Sequence, residues 1–120
     1  MKQFVHATIQ VKDLNESLEF YQEIVGLPIA NRFISGDTEI VFLGQGDTLV
    51  ELIYTEDSKD TTIGDGIALG FGVDCLEDTI DFIKDKGIEI HSGPFEPSPT
   101  TKFFYVQDPD GLKIQFIEQK

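Results

Sequence analysis

Glu51 is the residue whose setting most directly suggests chemistry, because its carboxylate interrupts the apolar run LVELI. Burying an unpaired carboxylate is costly, so Glu51 needs a metal ion, a histidine or a hydrogen-bond donor beside it. His6, in the segment FVHATIQV near the N-terminus, is the candidate partner. A histidine and a carboxylate can together hold a divalent metal ion or move a proton, which makes Glu51 the candidate catalytic base.

An internal repeat relates these two residues to the second half of the chain. The segment HATIQVKDLNESLEFY from His6 aligns with ALGFGVDCLEDTIDFI from Ala68, and LVELI around Glu51 aligns with KIQFI around Gln115. The alignment equates His6 with Ala68 and Glu51 with Gln115. A repeat of roughly 60 residues predicts two structural modules, so we expect these four positions to converge. Three of them carry possible metal ligands: His6, Glu51 and Gln115.

The first half of the chain has the pattern of a strand, a helix and three more strands. The segment Phe4–Val11 is β-branched and apolar, and Asp13 is a suitable N-cap for the helix that follows. Gly26 is placed to end that helix. The three predicted strands are Leu27–Ile34, Glu39–Leu43 and Thr48–Tyr54.

The same order returns after a polar stretch, Thr55–Gly66, which has no periodic pattern and is predicted to be a linker. A strand over Ile67–Val73 precedes a helix that begins near Cys75 and ends at Gly87. The three strands predicted after it are Ile88–His91, Phe103–Gln107 and Leu112–Glu118. The sequence thus predicts two βαβββ modules, residues 1–58 and 65–120, which can cover each other or curve into a cup.

Alternation along the strands predicts which side chains share a face with His6. Thr8 and Gln10 do, whereas the residues expected to pack on the helix are Val5, Ala7, Ile9 and Val11. In the repeated strand, small residues such as Gly70 leave room for a ligand. Phe103 and Tyr105 face away from Phe104 and Val106. The predicted ligand-binding residues are Thr8, Gln10, Gly70, Phe103 and Tyr105.

The composition is that expected of a soluble cytoplasmic protein. The 120 residues include 22 acidic and 9 basic side chains, for a formal net charge of -13. Such a surface repels phosphate backbones and anionic lipids, so we expect neither a nucleic acid nor a membrane as partner. No apolar run approaches the roughly 18 residues that span a bilayer, and the N-terminus lacks a signal-peptide pattern. The single cysteine, Cys75, excludes an intrachain disulfide.

The segments HATIQVKDLNESLEFYQEIVGLPI and DPDGLKIQFIE resemble the vicinal oxygen chelate superfamily, which includes glyoxalase I, bleomycin-resistance proteins and extradiol dioxygenases. The resemblance covers essentially the whole chain and is closest to bacterial glyoxalase I. It implies an α+β fold in which paired βαβββ modules form a cup-shaped, partly open barrel. It also implies a homodimer with a divalent metal in the cup, and it places the ligand positions at His6, Glu51, Ala68 and Gln115.

Two of these positions depart from the family pattern. Ala68 has no ligand atom, and Gln115 replaces a glutamate that glyoxalase I uses as ligand and base. An amide can bind a metal through oxygen but cannot take up a proton near neutral pH. Gln10 and Thr55 stand where glyoxalase I holds glutathione with an arginine and an asparagine. We therefore do not expect ordinary lactoylglutathione lyase activity.

Two functions are compatible with these features. The first is a divergent glyoxalase-family protein that binds a small organic ligand. In it, His6, Glu51 and Gln115 hold Ni, Co, Mn, Fe or Zn for a lyase or isomerase reaction next to a carbonyl. The second is a metal-free small-molecule or drug-binding protein of the bleomycin-resistance type. The acidic surface and the small residues at 68, 70 and 72 suit this second function, whereas the His6–Glu51 pair favours the first.

Overall fold

The computed structural model describes residues 1–120, which divide into two compact units, Met1–Thr62 and Ile63–Lys120. We call them unit 1 and unit 2. Each unit contains one four-stranded sheet and one α-helix, so the predicted α+β class is confirmed. No helix in the chain is long and apolar enough to cross a membrane.

Unit 1 follows the predicted order of a strand, a helix and three strands. Its elements are β1 (His6–Gln10), α1 (Leu14–Glu19), a π-helix (Phe20–Val25), β2 (Ile29–Ser35), β3 (Thr38–Leu43), β4 (Leu49–Tyr54) and a 3-10 helix (Glu56–Asp60). The strand order in the sheet is β1-β4-β3-β2. Strand β1 runs parallel to β4, and the other neighbours are antiparallel.

The helical segment of unit 1 begins and ends at the predicted residues. The side chain of Asp13, the N-cap, accepts a hydrogen bond of 3.1 Å from the backbone N–H of Glu16. Gly26 ends the segment with a φ of 89°, a left-handed conformation that favours glycine. The single helix expected between them is α-helical at first and π-helical from Phe20. Phe20 and Tyr21, the first two residues of the π-helix, are both buried.

The core of unit 1 lies on the face of the sheet that the helical segment covers, since α1 contacts β4. The buried side chains of that face alternate along the strands, as the period of two requires: Ile9, Val41, Leu43, Val50 and Leu52. Val5 was expected among them but is 52% exposed, because it precedes the first residue of β1. The other face, which we call the open face of unit 1, carries His6, Thr8, Gln10, Phe42 and Glu51.

Unit 2 repeats this topology. Its elements are β5 (Ala68–Gly72), α2 (Leu76–Asp85), β6 (Ser92–Ser98), β7 (Thr101–Gln107) and β8 (Lys113–Gln119), in the sheet order β5-β8-β7-β6. The registers also correspond, because Thr8 pairs with Glu51 in unit 1 and Gly70 pairs with Gln115 in unit 2. The repeat inferred from the sequence is therefore present in the strand order and in the strand pairing.

The core of unit 2 lies between α2 and β8, which are in contact. Its buried apolar side chains are Leu76, Ile83, Phe104, Val106, Leu112, Ile114 and Phe116. The predicted division of β7 is confirmed, because Phe104 and Val106 are buried whereas Phe103 and Tyr105 are not. The open face of unit 2 carries Gly70, Phe103, Tyr105, Lys113 and Gln115.

The helix of unit 2 begins without the side-chain cap that Asp13 provides in unit 1. Cys75 is the N-cap and its side chain makes no capping hydrogen bond. Instead, Oε1 of the buried Glu118 in β8 accepts a hydrogen bond of 2.9 Å from the backbone N–H of Leu76. This bond, with a smaller contribution from Lys120, lowers the pKa of the Glu118 carboxyl and outweighs the opposing effect of its burial.

One further local expectation is wrong, and another is incomplete. Ile88–His91 is not a strand: the N–H of Ile88 bonds to the carbonyl of Ile83 at the end of α2, and β6 forms later. The expected linker Thr55–Gly66 contains the 3-10 helix, which begins at a reciprocal pair of hydrogen bonds between Thr55 and Ser58. In both places, local hydrogen bonds at a helix end accompany the difference from the expectation.

Candidate functional site

The predicted pairing of His6 with Glu51 is confirmed. His6 Nε2 lies 3.5 Å from Glu51 Oε1, and the two side chains are 37% and 14% exposed. Parallel pairing of β1 with β4 sets Thr8 directly opposite Glu51 and His6 one position further along the same face. The pair therefore follows from strand register and lies at the surface of the open face of unit 1.

Glu51 also accepts a hydrogen bond from Thr8, one of the predicted ligand-binding residues, which lies opposite it in the sheet. The hydroxyl of Thr8 donates to Glu51 Oε1 at 2.5 Å. Gln10, further along β1, is half-buried opposite Ile53 and touches neither His6 nor Glu51 through a hydrogen bond.

Two phenylalanines flank the pair. The ring of Phe42 packs edge-on against the His6 ring, with centroids 5.4 Å apart, and Phe42 pairs with Glu51 across the β3–β4 ladder. Phe33 stacks beside Phe42 at 6.4 Å and is 42% exposed. The imidazole and the carboxylate thus lie beside an apolar surface formed by these two rings.

The His6–Glu51 geometry fits a shared divalent metal ion. Two donor atoms at about 2.1 Å from one ion with a tetrahedral angle are about 3.4 Å apart. The measured separation of Nε2 and Oε1 is 3.5 Å. A neutral imidazole nitrogen and a carboxylate oxygen are donors that suit Ni, Co, Mn, Fe and Zn. The chain contains no group of three His, Cys, Asp or Glu side chains that could hold one metal ion. At this site His6 and Glu51 are therefore the only donors of these four residue types.

Gln115 is held on the open face of unit 2 by a tyrosine. Its Nε2 donates to the hydroxyl of Tyr105 at 3.4 Å. Its Oε1 lies over Gly70, where an added Cβ would come within 2.9 Å of that oxygen. The amide oxygen is the atom with ligand capacity, and the hydrogen bond to the amide nitrogen leaves this oxygen free to accept. Ala68, two residues before Gly70 in β5, has no side-chain atom that could bind a metal ion.

The predicted ligand-binding aromatics form a cluster beside Gln115. Phe103, Tyr105 and Phe95 contact one another with ring centroids between 5.4 and 6.4 Å apart. Lys113 places its ammonium 5.9 Å from the centre of the Tyr105 ring. Phe95 is 44% exposed, so the cluster presents apolar surface at the protein's exterior.

Two features of the site have no clear sequence signal. Phe42 lies in an ordinary alternating strand, and only its register opposite Glu51 brings it to the His6 ring. The bond from Thr8 to Glu51 likewise joins residues that are 43 positions apart. The repeat and the alternation of side chains predict the face on which these residues lie. They do not predict the contacts between them.

The strand order and the equivalent registers define a protein built from two βαβββ units, the first of which carries the His–Glu pair. A family model for the Glyoxalase/Bleomycin resistance protein/Dioxygenase superfamily matches residues 3–116. The chain belongs to this superfamily.

Relatives and solved structures agree with this assignment. The chain is 32% identical over 123 residues to a "Probable lactoylglutathione lyase" of Synechocystis sp., covering 95% of this chain and 93% of the relative. It is 31% identical over 127 residues to a lactoylglutathione lyase of Haemophilus influenzae, covering 98% of this chain and 93% of that protein.

The fold matches glyoxalase I from Zea mays with a TM-score of 0.86 and 26% identity, over 98% of this chain and 44% of that chain. It also matches an antibiotic binding protein from Streptomyces with a TM-score of 0.80 and 17% identity, over 100% of this chain and 98% of that one. The second match shows a shared fold alone.

Proposed function

We propose that the protein is a divergent member of the glyoxalase superfamily that binds a small organic ligand and acts as a metal-assisted lyase or isomerase next to a carbonyl. The observation that carries this proposal is the His6–Glu51 pair, whose Nε2 and Oε1 are 3.5 Å apart. The relatives named lactoylglutathione lyase support the same class of chemistry. Gln115 is proposed as the third protein ligand, through its amide oxygen.

In the proposed reaction, the residues of this chain bind the ligand and move one proton. His6, Glu51 and Gln115 would hold a divalent ion, and the ion would supply polarisation of the carbonyl of a ligand that has two adjacent oxygens. Glu51 is the only base in this set, and its Oε2, which accepts no hydrogen bond from the protein, takes the proton from the carbon next to that carbonyl. Phe42 and Phe33 keep water away from one side of the reacting group.

The substrate proposed is not the glutathione adduct of the relatives. The arginine and asparagine that the family resemblance assigns to glutathione are replaced by Gln10 and Thr55. A net charge of -13 further disfavours an anionic tripeptide. We propose a neutral or cationic ligand whose apolar part contacts Phe103 and Tyr105.

A metal-free binding function is the second candidate, and one observation favours it. Phe95, Phe103 and Tyr105 expose an aromatic surface on the same sheet as the small residues of β5, with β8 between them, which suits a large apolar or cationic ligand. Ala68, in that strand, lacks the ligand atom of the family pattern. The similarity in fold to an antibiotic binding protein is compatible with this candidate.

Metal titration separates the two candidates. The protein, purified without a histidine tag, is titrated with Ni²⁺, Co²⁺, Mn²⁺ and Zn²⁺ by isothermal calorimetry at neutral pH. The chain has two histidines, which offers a matched pair of variants. Loss of a residue that only hydrogen-bonds to a metal ligand typically lowers metal affinity about 10- to 100-fold. His6→Gln removes a proposed ligand itself, so we expect a larger loss of metal affinity. His91→Gln should leave the affinity unchanged, because His91 is exposed and bonded to Ser92.

A double variant tests the four equivalent positions. Ala68→His with Gln115→Glu adds a nitrogen and a charged carboxylate where the family pattern has them, so the metal affinity should rise. If the native chain binds no ion and the double variant binds strongly, the metal-assisted function is wrong and the binding function is favoured. If neither binds, the proposed convergence of these positions is wrong.

A further inference from the structure

The side chain of Thr8 is directed at the carboxylate on which the proposed chemistry depends. Thr8 and Glu51 are direct partners in the β1–β4 ladder, and the Thr8 hydroxyl donates to Glu51 Oε1 at 2.5 Å. The terminal torsion of a glutamate side chain is broad, so a strand position alone does not set the rotation of the carboxylate. A donor at this distance does set it.

The bond from Thr8 determines how the two oxygens of Glu51 are used. Oε1 lies between the hydroxyl of Thr8 and Nε2 of His6, at 2.5 Å and 3.5 Å respectively. Oε2 accepts no hydrogen bond from the protein. The hydroxyl therefore keeps Oε1 beside the imidazole and leaves Oε2 as the free oxygen.

The repeat shows that the fold itself does not require a hydroxyl at this position. In unit 2 the equivalent pair is Gly70 and Gln115, and Gln115 is held by Tyr105 instead. Thr8 is also exposed and takes no part in the buried core. The hydroxyl occurs where the facing residue is a carboxylate, which indicates a role toward Glu51.

We infer that Thr8 is a positioning residue, which orients the Glu51 carboxylate for the metal ion and the proton transfer. The inference rests on the proposed function for its consequence in metal binding. Outer partners of metal ligands fix the ligand's rotation, and their loss typically lowers metal affinity about 10- to 100-fold.

Two substitutions at Thr8 separate the hydroxyl from the shape of the side chain. Thr8→Val keeps the branched shape and removes the donor, whereas Thr8→Ser keeps the donor and removes the methyl group. We expect Thr8→Val to bind Co²⁺ about 10- to 100-fold more weakly and to change the visible spectrum of the bound cobalt. Thr8→Ser should keep the cobalt affinity within about threefold of that of the native protein, a difference in binding free energy of about 0.65 kcal/mol, and should keep the native cobalt spectrum.

A second measurement needs no metal. The ¹³C resonance of the Glu51 carboxylate is recorded in the metal-free native protein and in both variants. It should shift in Thr8→Val and return toward the native position in Thr8→Ser. Equal cobalt affinity, an equal cobalt spectrum and an equal carboxylate resonance in Thr8→Val would overturn the inference. If the native protein binds no Co²⁺, the proposed metal function fails, and the carboxylate resonance alone then confirms or overturns the role of Thr8.

Discussion

Glu51 in β4 and Gln115 in β8 are both candidate metal ligands, and their side chains are held by different hydrogen bonds. Glu51 is bonded by the hydroxyl of Thr8 on the neighbouring strand. Gln115 is bonded by Tyr105, and the position opposite it is Gly70, which has no side chain to bond with. The amide oxygen of Gln115 occupies the space that a side chain at residue 70 would fill. In unit 1, the equivalent space holds the Thr8 side chain, whose hydroxyl donates to Glu51.

A methyl group at residue 70 tests this account at the scale of a single residue. In Gly70→Ala the new Cβ would lie 2.9 Å from Gln115 Oε1, so the amide must move. Gly72→Ala is the matched control, since a Cβ there meets nothing within 4 Å. The control should stabilise the protein by about 0.4–1 kcal/mol through a less flexible unfolded chain, and Gly70→Ala should gain less.

The measurements are urea unfolding for stability and the side-chain amide resonances of Gln115 for position. We expect these resonances to shift in Gly70→Ala and to stay in place in Gly72→Ala. Unshifted resonances in Gly70→Ala would mean that the amide does not lie over residue 70.

The two helices illustrate how equivalent elements can be completed by different means. Helix α1 is capped by Asp13 from its own first turn, whereas α2 has Cys75 at that position and takes its acceptor from Glu118 of β8. A local cap stabilises the helix wherever the helix forms. A cap from another element stabilises the helix only when the sheet is also formed, so it couples α2 to β8.

The carboxyl of Glu118 therefore gives the stability a defined dependence on pH. Its pKa in the folded protein is lowered from the ordinary value of 4.5, chiefly by the N–H of Leu76. A lowered folded pKa contributes stability that is fully present above the unfolded value and is lost as the pH falls through the folded value. Glutamine does not titrate in this range. In Glu118→Gln, we therefore expect the loss of stability that comes from protonating Glu118 below about pH 4.5 to be absent.

Urea unfolding at several pH values between neutral and acid conditions checks this expectation. Glu118→Gln should be less stable than the native protein at neutral pH, and the difference should shrink as the pH falls. Glu96→Gln is the control, since Glu96 is exposed and makes no such bond. If Glu118→Gln showed the same pH dependence of stability as the native protein, Glu118 would not cap α2 in solution.

At the scale of the whole molecule, small size and high charge act in opposite directions on self-association. Units of about 60 residues bury relatively little surface alone, which favours completion of the structure by a second copy. Each chain, however, carries a formal charge of -13, and identical chains repel one another. We expect a homodimer, as the family resemblance implies, whose affinity rises with salt.

Multi-angle light scattering at several salt concentrations tests the dimer. The mass should be twice the chain's 13.4 kDa. Dissociation on dilution should diminish between about 0.02 and 0.5 M NaCl, because salt screens the repulsion. A single species of 13.4 kDa at all micromolar concentrations and salts would contradict the expectation.

Much of this protein could be determined from the sequence by itself, because alternation and helix caps are local properties. The repeat predicts the strand order of both units, strand parity predicts that His6, Thr8 and Glu51 share a face, and Asp13 and Gly26 mark the helical segment. The free-energy cost of burying an unpaired carboxylate also indicates the His6–Glu51 pair.

Only the tertiary structure decided the contacts that depend on register between distant segments. Thr8 reaches Glu51 across 43 positions, and Glu118 reaches the N-terminus of α2 across 42. Strand β6 begins at Ser92, after the predicted strand Ile88–His91, and the N–H of Ile88 instead bonds to the carbonyl of Ile83 at the end of α2. A pattern of period two or 3.6 sets the face of a side chain, whereas its partner is set by how whole strands align in the folded protein.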